Sequence, residues 1–242
     1  MNGGRPSRAM PTHGHLRVTD NAFEAREVMT SLLRILITGF GAFPGAPFNP
    51  TPALVTRLTR LRRPAFSDVE LRGHIFPVTY QAVDRQLPEL LAQYRPHALL
   101  MFGLAARTPY VRIETRARNA ITTLWPDAGG AYVRSGAIVR GAEAMQVGPH
   151  TPRLMRAARA TGIDARLSRD AGRYLCNYLC WRALEARHEA NGPHLAAFIH
   201  VPLVARDTAT PRRTATVHPT LEHLVDAGEA LLLQIAALTR RK

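Results

Sequence analysis

The fold of this 242-residue chain is decided by the segment Arg34-Ile35-Leu36-Ile37-Thr38-Gly39-Phe40-Gly41. Residues 34–38 form a short, mainly apolar run that is typical of a buried β-strand. The glycines that follow predict a turn. The next segment, 52–61, has apolar residues at helical spacing, which predicts a helix packed on one face. A strand, a glycine-rich turn and an amphipathic helix in this order are typical of an α/β protein.

The same alternation of apolar strands and amphipathic helices continues along the rest of the chain. Strands are predicted at 34–38, 69–76, 98–102, 163–167 and 196–199, and helices at 52–61, 81–94, 152–161, 174–190 and 217–238. The glycine-rich stretch 127–150 is predicted to be irregular. Apolar strands of this kind belong to parallel sheets that are buried on both faces. We therefore expect a three-layer α/β/α fold, with a mostly parallel twisted sheet covered by helices on both faces.

The ends of the chain differ in composition. Residues 1–33 contain a Gly-Gly-Arg-Pro-Ser run, and we expect them to form a flexible N-terminal extension with a short helix over 21–33. Residues 34–242 have a length that suits a single domain, and they show no internal repeat. We find no secretory signal and no apolar run of the roughly 20 residues that a membrane span requires.

The net charge of +14 raises the question of nucleic-acid binding. The arginines are scattered from Arg5 to Arg241, and no helix-turn-helix, zinc-finger or aromatic-basic motif accompanies them. We therefore expect a solvated basic surface and no nucleic-acid partner. The two cysteines, Cys176 and Cys180, make no disulfide framework and no convincing metal site. Free thiols of this kind fit a reducing cytoplasm, and we expect no metal and no cofactor.

Cys176 is the strongest candidate for a nucleophile. Gly172 predicts a strand-to-helix turn, and Cys176 falls in the first turn of the helix that follows. Unpaired backbone N–H groups and the helix dipole favour a thiolate at such a position. The backbone N–H of Cys176 is also suited to stabilise an oxyanion. Cys180 lies one helical turn deeper, and we expect it to be a small packed side chain.

Among the ten histidines, His200 is favoured as the base because it ends the apolar run 196–199. Sites in α/β sheets form beyond the carboxyl ends of strands, where Cys176 is also expected. His218, His13 and His15 fall in loop or tail segments, and His74 lies inside a predicted strand. Glu114 follows a short extended segment. It either orients the base or forms an ion pair with a nearby arginine, and the residues alone leave both readings open.

At these residues the sequence resembles the pyroglutamyl peptidase I family, also called pyrrolidone-carboxylate peptidases. Four motifs carry the resemblance in the same order as in the family. They are Ile37-Thr38-Gly39-Phe40 with Phe43 and Asn49-Pro50-Thr51, Gly103-Leu104-Ala105 with Ile113-Glu114, Ala171-Gly172-Arg173-Tyr174-Leu175-Cys176-Asn177-Tyr178, and Phe198-Ile199-His200-Val201-Pro202. The resemblance implies that 34–242 is a catalytic domain that removes N-terminal pyroglutamate from peptides.

The resemblance also implies roles for single residues. Cys176 would attack the carbonyl carbon, His200 would transfer the proton, and Glu114 would hold the imidazole. The residues implied to bind substrate are Phe40, Phe43, Asn49, Val78, Leu104, Tyr174 and Leu175. The phenylalanines would clamp the flat lactam ring, although core packing is the alternative. Family members commonly form tetramers, so the resemblance also implies a homo-oligomer.

The sequence departs from the family after the glutamate. Thr115 and Arg116 replace a basic and an aliphatic residue, and 124–128 lacks the family's arginine. We hypothesise that Arg112 or Arg116 supplies the missing charge. Two alternative functions stay open at this point: a diverged cysteine amidase with another acyl specificity, and a catalytically silent basic binding protein of the same fold.

Overall fold

The computed structural model of the chain describes Met1, Gly3 and residues 32–43, 45–205 and 219–241. The predicted extension 1–33 lies almost wholly outside these residues, and so do His13, His15 and His218. Leu33, which was assigned to the predicted helix over 21–33, belongs instead to the first strand. Within the described residues, no helix is long and apolar enough to cross a membrane.

In the described part of the chain, strands and helices alternate as the sequence predicts. The strands are β1 (Leu33–Phe40), β2 (Val69–Phe76), β3 (Ala98–Leu104), β4 (Val111–Glu114), β5 (Arg116–Ala117), β6 (Met145–Gln146), β7 (Ala165–Ser168) and β8 (Leu195–Val201). The α-helices are α1 (Thr51–Thr59), α2 (Tyr80–Tyr94), α3 (Thr151–Arg159), α4 (Leu175–Ala186) and α5 (Leu221–Thr239). The short strands β5 and β6 are not among the predicted elements, and β6 lies inside the stretch predicted to be irregular.

Six strands of the described residues form the central sheet, in the order β2-β1-β3-β8-β4-β7. Strands β2, β1, β3 and β8 run parallel to one another, whereas β4 is antiparallel to β8 and parallel to β7. The predicted mostly parallel sheet is therefore confirmed, with a reversal between β8 and β4. The reversal sets Arg112 directly opposite His200, and this register is central to the site.

Helices cover both faces of the sheet, which confirms the predicted three-layer fold. On one face, Ile35, Leu100 and Ile199 pack in a core that includes buried residues of α1, α3 and α5. On the other face, Leu36 and Phe198 pack in a core with buried residues of α2 and α4. Because successive residues of a strand point to opposite faces, His200 shares its face with Phe198 and therefore faces α4.

Candidate active site

Cys176 lies in the first turn of α4, at the carboxyl edge of the parallel strands. Gly172 has a φ of +85°, a left-handed conformation that glycine adopts without steric cost, and it turns the chain into the helix. Tyr174, the N-cap residue, makes no side-chain capping bond to the described part of the helix. The free N–H groups and the dipole of the first turn therefore favour negative charge near the Cys176 thiol. The thiol is free and partly exposed.

Gly103 makes room for the thiol on the surface of the sheet. It lies in β3, directly beside His200 of β8. A Cβ atom added to Gly103 would lie 2.7 Å from Cys176 Sγ and 2.9 Å from Cζ of Phe198. Both distances are shorter than van der Waals contact, so the sulfur packs directly on the backbone of β3. This close approach explains why a glycine occupies the position.

His200 and Glu114 form a buried pair across the reversed strands. Nδ1 of His200 lies 2.8 Å from Oε1 of Glu114. Both side chains are almost fully buried, with 5% of His200 and 0% of Glu114 exposed. Their positions are diagonal in the antiparallel ladder, where side chains on the same face are close enough to touch. With Nδ1 bonded to the carboxylate, Nε2 is the ring nitrogen left for Cys176.

The surroundings of His200 favour its charged form. Burial alone would lower its pKa, because it removes the imidazolium from water. The charge and hydrogen bond of Cys176, together with the hydrogen bond and charge of Glu114, outweigh burial and raise the pKa of His200 to about 9. Cys176 and His200 line the same cavity, so the thiol and the ring belong to one site. An imidazolium beside a thiol is the arrangement that activates a cysteine nucleophile.

Glu114 also pairs with an arginine, so it contacts both of the groups named by the two readings that the sequence left open. Nη2 of Arg112 lies 2.9 Å from Oε1 of Glu114, the same oxygen that binds His200. The guanidinium also donates to Oγ of Ser168 and to the carbonyl of Asp170. Among the described residues, Oε2 of Glu114 is buried without a hydrogen-bond partner. Oε1 of Glu114 therefore contacts both the guanidinium of Arg112 and the imidazole of His200.

Arg116, the other arginine proposed to supply the missing charge, lies elsewhere. Its Nε donates to the carbonyl of Arg169 at 2.7 Å, and it does not line the cavity that holds Cys176. Arg112 does line that cavity. Of the two candidates, only Arg112 is therefore placed to act on the reacting groups.

A cavity of about 560 Å³ opens in front of Cys176 and His200. It is lined by each residue that the resemblance implies to bind substrate: Phe40, Phe43, Asn49, Val78, Leu104, Tyr174 and Leu175. It is also lined by residues that the sequence analysis does not assign to binding: Ala105, Ala106, Arg107, Thr108, Arg112, Asp170, Ala171 and Gly172. For the residues other than Arg112, the available signal is their position, because 105–108 follow β3 and 170–172 precede the helix that carries the cysteine. Arg112 lies two residues before Glu114 in β4.

The first turn presents aromatic rings to this cavity. The rings of Phe43 and Tyr174 lie 6.5 Å apart, and Phe40 is almost fully buried. Nδ2 of Asn49 donates to the carbonyls of Phe40 at 2.8 Å and Gly41 at 3.1 Å, and its Oδ1 accepts from the N–H of Thr51. The amide of Asn49 thus holds the turn in shape from within. Its contact with substrate stays a prediction.

Asn177, next to the nucleophile, is a structural residue that the sequence analysis misses. It is fully buried, and its Nδ2 donates to the carbonyls of Arg118 and Ala120. Its Oδ1 accepts from the N–H of Arg118 at 2.8 Å. These three bonds tie the start of α4 to the segment after Glu114. The available signal was a polar residue among apolar residues of a predicted helix. A buried polar side chain needs hydrogen-bond partners, so this pattern indicates a structural role.

Cys180 has the surroundings of a structural cysteine. It is fully buried, and burial raises the pKa of its thiol, which keeps it neutral. Within the residues that the structure describes, no group of three or more His, Cys, Asp or Glu side chains is arranged to hold a metal ion.

Comparisons with known proteins show the family of the chain. The family profile for pyroglutamyl peptidases matches residues 33–238. A pyrrolidone-carboxylate peptidase of Pyrococcus furiosus is 30% identical over 173 residues, which cover 71% of this chain and 82% of the relative. One of Deinococcus radiodurans is 30% identical and covers 84% of this chain and 92% of the relative.

Solved structures give the same result for the fold. The pyrrolidone carboxyl peptidase from Thermococcus litoralis superposes with a TM-score of 0.76 at 26% identity. The match covers 86% of this chain and 96% of that structure. The length of the profile match, the relatives and the shared fold lead to one conclusion: the chain belongs to the pyroglutamyl peptidase family.

Proposed function

We infer that this protein is a cysteine peptidase that removes an N-terminal pyroglutamyl residue from peptides, with Cys176 as nucleophile, His200 as acid and base, and Glu114 as the group that orients the imidazole. The observation that carries the assignment of roles is the buried hydrogen bond of 2.8 Å between His200 and Glu114, with His200 and Cys176 lining one cavity. A nucleophile, a base and a carboxylate in this order of contact form a catalytic triad.

The first half of the reaction forms a thioester. Sγ of Cys176 attacks the carbonyl carbon that joins pyroglutamate to the next residue, and the carbonyl oxygen becomes an oxyanion. The backbone N–H of Cys176, in the uncapped first turn of α4, is suited to stabilise that charge. The imidazolium of His200 then gives its proton to the amide nitrogen, and the C–N bond breaks. The shortened peptide leaves with a free amino group.

The second half of the reaction releases pyroglutamate. Neutral His200 removes a proton from a water molecule as its oxygen attacks the thioester carbon. The C–S bond breaks, and the thiolate of Cys176 and the imidazolium are restored. Glu114 keeps the ring in one orientation throughout, because its Oε1 accepts from Nδ1. In both halves a single proton passes through Nε2.

The aromatic part of the cavity suits the lactam ring. Phe43 and Tyr174 present ring surfaces, and a flat uncharged ring gains from aromatic contact. The lactam N–H and C=O also need partners once they are removed from water. We assign these partners to the backbone near Val78 and Leu104, which both line the cavity. An acyl group without the ring would leave this apolar surface uncovered.

The partners and location of the protein follow from the same chemistry. Its substrates are peptides, and we propose a cytoplasmic location because the reaction requires a reduced thiol and both cysteines are free. A homo-oligomer, with four subunits by the resemblance, stays a prediction, as does the lack of a nucleic-acid partner.

The test compares acyl groups and cysteine variants. Hydrolysis of a chromogenic pyroglutamyl amide is measured beside prolyl, glutamyl and alanyl amides. We expect turnover of the pyroglutamyl amide alone, with Cys176→Ser inactive and the matched variant Cys180→Ser active. Turnover of other acyl amides only would favour the diverged amidase. No turnover, together with salt-sensitive nucleic-acid binding, would favour the silent binding protein. Thermal melting shows that both variants are folded.

A further inference from the structure

A tight turn at the rim of the cavity carries a charge that the reaction does not use. The turn spans 105–108, and the carbonyl of Ala105 accepts hydrogen bonds from the N–H and Oγ1 of Thr108 at 3.1 and 3.2 Å. The N–H of Ala105 donates to the carbonyl of Val201, at the end of β8. The turn is therefore closed by its own hydrogen bonds and attached to β8, and Arg107 is an exposed residue within it.

Arg107 differs from the other charged side chains that line the cavity. The guanidinium of Arg112 binds Glu114, and the carboxylate of Asp170 binds Arg118 and the N–H of Gly172. His200 is bonded to Glu114. Arg107 is exposed and has no hydrogen bond or ion pair with any described residue. It is thus the charge at this cavity that is left for a ligand.

The order of strands places this charge away from the aromatic rings. Phe40 ends β1 and Phe43 follows it, on one side of β3 in the sheet. The turn follows β3 and is bonded to β8, on the other side. A substrate whose lactam ring lies against the phenylalanines, with its carbonyl carbon at Cys176, extends its next residue toward β8. Arg107 therefore faces the part of the peptide that leaves.

We propose that Arg107 selects pyroglutamyl peptides that carry a carboxylate on the residue directly after pyroglutamate. This inference rests on the proposed function. Guanidinium groups bind carboxylates through two parallel hydrogen bonds, and the fork of Arg107 has no competing partner among the described residues. The carboxylate can be an acidic side chain or the free C-terminus of a dipeptide. A lysine at the same position meets like charge.

The test uses blocked peptides of equal size. The values of kcat/KM are compared for pyroglutamyl-aspartyl amide, pyroglutamyl-asparaginyl amide and pyroglutamyl-lysyl amide, and for unblocked pyroglutamyl-asparagine. We expect the aspartyl amide to exceed the asparaginyl amide by about fivefold at low salt, the size of one partly exposed ion pair. The unblocked peptide shows whether a terminal carboxylate has the same effect. The lysyl amide is expected to be the poorest substrate.

Two variants assign the preference to the residue. Arg107→Glu is expected to reverse the order of the aspartyl and lysyl amides. Arg85→Gln removes an exposed arginine of α2 that does not line the cavity, and we expect it to keep the wild-type order. Equal rates for aspartyl and asparaginyl amides in the wild type, or an unchanged order in Arg107→Glu, would overturn the inference and leave the proposed function standing. Failure to cleave any pyroglutamyl amide would overturn both.

Discussion

The charge state of His200 depends on Cys176, and this dependence can be measured directly. Burial disfavours the imidazolium, but the charge and hydrogen bond of Cys176, with the help of Glu114, raise the pKa of His200 to about 9. The substitution Cys176→Ala removes the first two of these favourable interactions and leaves burial and Glu114 in place. We therefore expect the pKa of His200 to fall in the variant.

The size of the effect follows from the same balance. The difference between the ordinary value of 6.5 and about 9 is equivalent to about 3 kcal/mol in favour of the imidazolium. Cys176 supplies the two largest favourable contributions, so its loss should lower the pKa of His200 by at least about one pH unit, or about 1.4 kcal/mol. At pH 8 the wild-type ring is mainly charged, and the ring of the variant is charged to a smaller extent.

The assay is an NMR titration of the imidazole resonances between pH 5 and pH 10. His200→Gln assigns the resonance, because the chain has ten histidines. Cys180→Ala is the matched control, since its buried thiol is kept neutral and contributes no charge near the ring. If His200 titrates at the same pH in the wild type and in Cys176→Ala, the thiolate is not the source of the raised pKa, and the proposed activation of the nucleophile is wrong.

Two further predictions concern the space and the charge around the nucleophile. Gly103→Ala puts a methyl group 2.7 Å from Sγ of Cys176, so the sulfur must move. We therefore expect kcat, measured by steady-state kinetics, to fall by about 100-fold. An unchanged kcat would contradict the close packing of the sulfur on β3. Arg112→Ala removes the guanidinium that pairs with Glu114, and we expect kcat/KM to fall by about tenfold or more. Arg116 does not line the cavity, so the matched variant Arg116→Ala should have a kcat/KM close to that of the wild type. Equal kcat/KM in the wild type, Arg112→Ala and Arg116→Ala would contradict the hypothesis that one of these arginines supplies the missing charge.

Much of the fold follows from local patterns, and the errors occur where local patterns compete. The strand predicted at 69–76 has the observed bounds, because its apolar pattern coincides with the paired segment. The helix predicted from 217 begins at Leu221, because Thr220 and His223 form a capping box. A threonine directly before an apolar periodic segment is a typical N-cap signal, so the sequence also allowed a helix start after Thr220. Periodicity alone placed the start of the helix too early, at 217.

The direction of β4 could not be read from the sequence. An apolar run predicts an extended segment, but the direction of that segment depends on which strand it pairs with, and β4 pairs with β8, which begins 84 positions after Val111. Only the antiparallel register places Glu114 diagonal to His200 on the face of α4. For this reason the sequence alone left the role of Glu114 open. The turn at Gly172 was readable from the sequence, since a left-handed turn favours glycine. The close approach of Cys176 to Gly103 depends on how α4 packs on β3, and the sequence does not predict it.

The reversed strand also bears on the hypothesis that Arg112 supplies the charge of the family's arginine that is missing near Leu124. Arg112 and Glu114 are two residues apart on β4, so both side chains point to the face that holds His200. In the proposed active state the four groups are a thiolate, an imidazolium, a carboxylate and a guanidinium, and their charges cancel. A buried carboxylate that met only the imidazolium would lose its sole cation each time His200 gives up its proton. Because Arg112 contacts the same oxygen, the carboxylate of Glu114 keeps one cationic partner throughout the proposed cycle. His200 can therefore become neutral without leaving the buried carboxylate unpaired.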